Sequence, residues 1–372
     1  MVLCSNRLDD PGLDIVRSRS ACIVALLLLP FSGEASSPEK QPASAIISVR
    51  DRAADPVTTA RIATSLETVL LRTGPVIERN HVRATLRQLR IRQVDNAGTA
   101  SLGRLAATLK ADWLVSVTVH EARAQPIPTI TLSALAVWGD SPQESRSAFT
   151  SATGIDGLHF FGLGEIWEID RLADLALVDL LDQLDLTAEK APRSLESASA
   201  SANWQTAVGK IAVLPLTSSS AREASANADA ATQALYSVLR QNAVDFVAPN
   251  RIAEVLRNQR TRRWGELSQE VWSAIAEECQ ARLILTGSVE AYDAGPGREP
   301  RPFVAVSLRG LDAKTGRIVW TGALERDGWF RQTIFRSGRI YSRGELLTVL
   351  LSRLTRDLAD RAPTLELTGA KQ

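Results

Sequence analysis

Apolar residues recur along the chain with two periods, and the same succession of periods is met twice. Leu102, Leu105, Ala106 and Leu109 stand at i, i+3, i+4 and i+7, the stripe of a helix that buries one face. Trp272, Ile275, Ala276 and Cys279 repeat that stripe 170 positions further on. On an earlier helix Leu66, Val69 and Leu70 correspond to Leu235, Val238 and Leu239. On a late one Leu177, Leu180 and Leu184 correspond to Leu351, Leu354 and Leu358. The shift of 170 also brings Asn80, Leu86, Arg87, Arg90, Arg92, Ala106 and Ala111 onto Asn250, Leu256, Arg257, Arg260, Arg262, Ala276 and Ala281 without a gap. The chain is therefore two copies of one pattern.

Between the helices lie short β-branched and apolar runs bounded by turn residues, the mark of strands. A first strand is expected at 45–49 and again at 210–216, and a short second one at 76–77 and 246–247. Helices then begin near Asn80 and Asn250, whose side chains suit the orphan amides of a first turn. A central strand follows at 113–119 and 283–289. A hairpin follows it at 129–138 with 147–152, and at 303–311 with 317–324. Asp312-Ala313-Lys314-Thr315-Gly316 has the chemistry of a tight turn, and Asp156-Gly157 repeats as Asp327-Gly328. Ser342 with Glu345 has capping-box spacing ahead of the last helix. Each copy thus reads βαβααβββα, an α/β (α+β) domain with a mixed sheet and packed helices. The expected organisation is a signal peptide at 1–35, domains at 40–186 and 209–362, a flexible Ser/Ala-rich linker at 187–208 and a tail at 363–372.

Composition adds an address. Arg17 and Arg19 precede an apolar run from Ala21 to Phe31, followed by small residues at Gly33 and Ala35. That run is shorter than the about 20 residues a membrane span needs, so it suits a cleaved signal peptide. An uncleaved anchor or a later true start codon is the alternative. Cys22 stands at the beginning of the run and not at a cleavage point, so no lipidation is expected, and the chain is placed in the periplasm or envelope. Of the 3 cysteines only Cys279 remains after cleavage, at a buried helical position where a packed thiol is expected. The net charge of +1 argues against a nucleic-acid partner engaging the whole surface.

The second copy resembles the TolB amino-terminal-domain and CsgG-like group of bacterial envelope proteins. The residues that carry the resemblance are Ile211-Ala212-Val213-Leu214-Pro215-Leu216, the strand from Ala281 to Val289, and Asp312-Ala313-Lys314-Thr315-Gly316-Arg317-Ile318-Val319-Trp320. The first copy keeps the pattern loosely, without the Pro after the first strand or the Thr-Gly of the turn. The resemblance implies a non-catalytic domain used in envelope assembly, secretion or trans-envelope complexes.

Candidate chemistry is sparse. His81, His120 and His159 all lie in the first copy, without metal-ligand spacing, and neither a phosphate loop nor a nucleophile elbow occurs. No catalytic residue, cofactor or metal is expected. Two basic runs recur at equivalent positions: Arg83, Arg87, Arg90 and Arg92, then Arg257, Arg260, Arg262 and Arg263. On a helix Arg83, Arg87 and Arg90 share a face, as do Arg257 and Arg260. This is either a solvated face with local ion pairs, such as Glu254 with Arg257, or a surface for an acidic protein, anionic glycan or lipid head group. Trp329, Phe330 and Phe335 crowd the end of the second copy, either as core packing or as a docking loop. The expected function is a non-catalytic extracytoplasmic assembly or scaffold protein that binds envelope partners, with homo-oligomerisation open. The alternatives are a subunit of a CsgG-like outer-membrane secretion pore and a periplasmic enzyme. The loops 153–168 and 325–341 are short and charged, which disfavours membrane-spanning hairpins.

Overall fold

The structure is a computed structural model that describes residues 42–52, 56–91, 97–156, 165–186, 208–219, 223–260, 267–297, 299–333, 338–362 and 365. The leader at 1–35, the joint at 187–207 and the tail beyond 362, Leu365 apart, lie outside the described residues. The rest falls within one compact unit, Gln41–Gln372.

The first copy runs β1 (Ser44–Asp51), α1 (Pro56–Leu70), α2 (Arg79–Gln88), α3 (Thr99–Leu109), β2 (Trp113–Arg123), β3 (Thr129–Trp138), β4 (Ser145–Thr153) and α4 (Ile169–Leu184). The second runs β5 (Ile211–Val213), β6 (Thr217–Ser218), α5 (Ala224–Gln241), α6 (Pro249–Asn258), α7 (Gln269–Cys279), β7 (Leu283–Asp293), β8 (Phe303–Asp312), β9 (Ile318–Asp327) and α8 (Arg343–Arg361). Sheet 1 has four strands in the order β1-β2-β3-β4, with β1 parallel to β2 and the rest antiparallel. Sheet 2 has five, in the order β5-β7-β8-β9, with β6 also paired to β7. Both are mixed sheets with packed helices, the expected α+β class.

Several expectations differ from what is found. The second strand of each copy shrinks to one bridge, Ser44 with Val76 and Ile211 with Phe246, because the chain turns straight into the next helix. The opening strand of the second copy is split at Leu214-Pro215-Leu216, since Pro215 has no amide proton for the ladder. The central strands run on to Arg123 and Asp293, past bulges at His120 and Glu290 that break the polar–apolar alternation and hide the continuation. Asn80 and Asn250 lie inside α2 and α6, whose caps are Glu78 and Ala248. Ser342 does cap α8, accepting from the amides of Gly344 and Glu345 at 3.1 and 3.4 Å. Asp312 closes its turn by accepting from the Thr315 amide at 2.8 Å. Gly328 is matched by Gly154 and not by Gly157, because both glycine amides reach a proline carbonyl, Pro302 and Pro128.

The copies stack in layers. One face of sheet 1, with Val115, Val117, Ile130 and Leu132, is covered by α1 and α4 through Ile62, Leu66, Leu177 and Leu180. Its back face is covered at one end by α2 and α3, through Leu102, Leu105 and Leu114. The remainder of that back face carries α5 and α8 of the second copy. Those two helices bury their other side on sheet 2 through Leu235, Leu239, Leu347 and Leu351. On the back of sheet 2, α6 and α7 cover only the end near Ile284, around Ile252, Ile275 and the buried thiol of Cys279.

Candidate functional site

The most heavily constructed polar region is the seam where α5 and α8 lie on the back of sheet 1. Alternation in β3 and β4 sends Thr131, Ser133, Ser147 and Ser151 to this face, while Ile130, Leu132 and Ala148 enter the core below. Small hydroxyl side chains make a flat surface that helices can approach closely. Gly344 uses this: a Cβ there would stand 2.7 Å from Ser151 Oγ and 2.9 Å from Thr131 Cγ2. Ser151 Oγ hydrogen-bonds the capping Ser342 Oγ and, at 2.8 Å, Thr131 Oγ1. Phe149 projects from β4 into the core of the second copy.

Charged pairs fix the register of the seam. Arg343 donates to Glu121 Oε2 at 3.1 Å and to the Tyr292 carbonyl at 3.2 Å, with its guanidinium 4.6 Å above the Tyr292 ring. Burial works against the charged Arg343. Glu121, Tyr292 and Glu223 nevertheless hold its pKa above the ordinary arginine value. Arg52 pairs with Asp229, and Arg240 donates to the Leu184 carbonyl at 3.2 Å. Burial lowers Arg240 to about 10, with Arg146 adding to the effect. At the far edge Thr99 donates to Glu254 at 2.8 Å and Asn250 to the Pro142 carbonyl.

His120 lies in this seam with Nε2 2.8 Å from Ser133 Oγ. The two atoms are the pieces of a base and a nucleophile, but the orienting third group is missing: Nδ1 is buried without a hydrogen-bond partner. Both side chains are buried under the helices. Burial, then Arg52 and Arg343, depress the imidazole to about 3, so it is neutral at physiological pH. The arrangement packs one copy against the other.

Among the described residues, the candidate basic side chains are only partly placed on the helices expected for them. Arg83 and Arg87 are exposed on α2, but the helix ends at Gln88 and Arg90 sits beyond it in a left-handed turn, φ 57°. Arg260 is likewise past the end of α6, φ 52°. Arg257 points toward Gly98 of the first copy, 3.2 Å from where a Cβ would stand. The ion pair of Glu254 forms with Arg251, at 3.2 Å, in place of the expected Arg257. Arg92, Arg262 and Arg263 lie outside the described residues. Trp329 is held between two guanidinium groups, Arg339 at 4.1 Å and Arg301 at 5.1 Å. Phe330 packs on the second core, and Phe335 lies outside the described residues. Neither described aromatic protrudes as a docking anchor. Among the described residues no group of three or more His, Cys, Asp or Glu is placed to hold a metal.

No protein family matches the chain, so the resemblance of the second copy to the CsgG-like group has no family match beside it, and no curated protein matches either. Among solved structures the chain is similar to the PelC dodecamer from Paraburkholderia phytofirmans, at 21% identity over 40% of this chain and 85% of that one, TM-score 0.27. It is similar to lipoprotein GNA1162 from Neisseria meningitidis, at 16% identity over 41% and 98%, TM-score 0.29. A third is the LpoB C-terminal domain from Salmonella enterica, at 13% identity over 32% and 81%, TM-score 0.23. Each likeness spans about the length of one copy. GNA1162 is a lipoprotein by name; Cys22 of this chain, for which no lipidation is expected from the sequence, lies outside the described residues.

Proposed function

We propose that the chain is a non-catalytic scaffold or assembly protein of the bacterial cell envelope, delivered across the inner membrane and binding protein partners through its tandem domains. One observation carries this reading. The back face of sheet 1 is already a protein-binding surface, and the corresponding face of sheet 2 is built alike and stands open. There Ser307 and Ala305 on β8 are half-buried and Thr321 and Ala323 on β9 are exposed, where Ser133, Thr131, Ser147 and Phe149 are buried on sheet 1. Small side chains at these four positions, with Arg309 and Glu325 exposed beside them, suit the approach of a packed protein element rimmed by charge. The basic leader with its short apolar run supports the extracytoplasmic address, and the CsgG-like strands of the second copy support the assembly role.

The test is a tagged full chain expressed in a Gram-negative host with a photo-crosslinking residue at Ser307 or, as control, at Ser133. The expected result is a processed chain released with the periplasmic fraction. Discrete crosslinked bands should come from position 307 and none to other proteins from position 133. An unprocessed chain in the cytoplasm, or position 307 silent in the envelope, refutes the proposal.

A further inference from the structure

The seam inside the chain is heterologous: it joins the outer side of one copy's helix pair to the back of the other copy's sheet. The same chain therefore carries the other half of each surface at its two ends, the outer side of α1 and α4 and the open back of sheet 2. We propose that molecules of this chain associate head to tail through those ends, repeating between chains the relation that joins the copies within one. The partner for the surface assigned above is then a second copy of the chain, a statement that rests on that assignment.

Three observations support it. First, α5 meets sheet 1 along Asp229, Ser237 and Arg240. The matching positions on and just after α1 are Ala60, Thr68 and Leu71, all exposed and uncharged, with Arg61 beside them paired to Asp170 of α4 at 2.7 Å. A protein normally furnishes such a surface with charged residues when only water meets it.

Second, the large apolar side chains left in solvent among the described residues fall only on these two ends. Five belong to α1, α4 or the residues beside them, Val57 at 61% exposure and Trp167 at 60% among them. The other two, Phe303 and Ile318, lie on the open back of sheet 2. Apolar exposure collected on surfaces that already have a docked equivalent marks an interaction site.

Third, two ion pairs of the inner seam are each replaced as a pair. Arg52 and Ser219 hold the same place, each amide bonded to the carbonyl of the matching strand residue, Val119 or Val289. Where the inner seam has Arg52 with Asp229, the ends offer Ser219 and Ala60. Where it has Glu121 with Arg343, they offer Ala291, the first residue past the matching bulge, and Ile169, the first residue of the matching helix. Losing one member of the buried Glu121–Arg343 pair would strand the other charge, whereas losing both does not; the Arg52–Asp229 pair is partly solvated, so its loss is milder. Other juxtapositions are adverse: Ser151 and Ser342 are replaced by Glu325 and Glu168, two carboxylates facing each other, His120 by Glu290, and Gly344 and Ala230 by Asp170 and Arg61, which pair with each other at 2.7 Å and must be accommodated or displaced.

A heterologous contact of this kind propagates, closing into a ring or extending as a filament according to its rotation. Sedimentation velocity and mass photometry of the purified full chain, from nanomolar to tens of micromolar, test it. The wild type is expected to form oligomers larger than a dimer. Ala60→Arg blocks the helix end and Ser307→Arg the sheet end. Each variant alone should stay monomeric, while an equimolar mixture of the two should form dimers and nothing larger. Ala60→Asp alone should weaken association roughly a hundredfold, and adding Ser219→Arg should restore it by rebuilding the inner ion pair between chains. Glu325→Gln should strengthen association about tenfold, a gain that misfolding cannot mimic. A wild type monomeric throughout, an Ala60→Arg chain that still oligomerises, or a mixture that yields no dimer overturns the proposal. A monomeric chain still crosslinked through position 307 to other envelope proteins refutes self-association and leaves the scaffold reading standing.

Discussion

The ion pair of Arg343 with Glu121 is the most exacting test of the seam. Their side chains are only 12% and 7% exposed, and they come from different copies. Arg343→Met leaves the Glu121 carboxylate buried with Arg123 alone, 3.9 Å away and itself partly solvated. Removing one partner of a fully buried pair costs about 3–5 kcal/mol, and the residual Arg123 contact brings the expectation to about 2–3 kcal/mol. Glu121→Gln is milder, about 1–2 kcal/mol, because Arg343 keeps the Tyr292 carbonyl and has Glu223 at 3.8 Å. In Glu121→Gln/Arg343→Met no charge is stranded, so the loss should fall short of the sum of the singles by at least about 1 kcal/mol. The assay is equilibrium urea unfolding followed by far-UV circular dichroism and tryptophan fluorescence, with Trp113 and Trp138 reporting the first copy and Trp320 the second. Single variants should separate the two copies' transitions. Single losses below about 0.5 kcal/mol, or strict additivity in the double variant, would show that the pair does not couple the copies.

Further expectations concern the same seam. Gly344→Val should destabilise the chain by about 1–3 kcal/mol, since the new side chain meets Ser151 and Thr131; Ser151→Gly in the same chain should recover part of the loss in a denaturant titration. The His120 imidazole is held down to about 3 in the folded chain, so between that pH and its ordinary 6.5 the unfolded chain binds the extra proton. Stability should therefore fall as pH drops below about 6.5, by up to about 1.4 kcal/mol per unit, and His120→Leu should flatten that slope between about pH 6.5 and 5. Proteolysis within 187–207 should leave the two fragments co-eluting in gel filtration, because the seam holds them together without the joint; fragments that separate under native conditions would contradict it.

Much of the architecture follows from local pattern. The helix stripes, the β-branched runs and the turn at Asp312 are short-range signals, and the duplication makes each copy a check on the other. They yield the α+β class, the eight helices of the described residues and the longer strands nearly in place, while the short second strand of each copy is found only as a bridge. Local pattern fails where one residue interrupts a period: at the bulges of His120 and Glu290, at Pro215, and at the ends of α2 and α6, which leave Arg90 and Arg260 off the helix faces expected for them.

The seam was decided by tertiary structure. The polar–apolar alternation of Thr129 to Trp138 is visible in the sequence, but the same alternation describes a sheet face open to water, and the hydroxyl face is in fact buried. Glu121 and Arg343 are separated by more than two hundred residues, so no periodicity connects them. Only the stacking of the second copy's helices on the first sheet shows that a run of serines and threonines is an interface. Periodicity reports which side of an element is apolar; what covers the other side is a property of the packed layers.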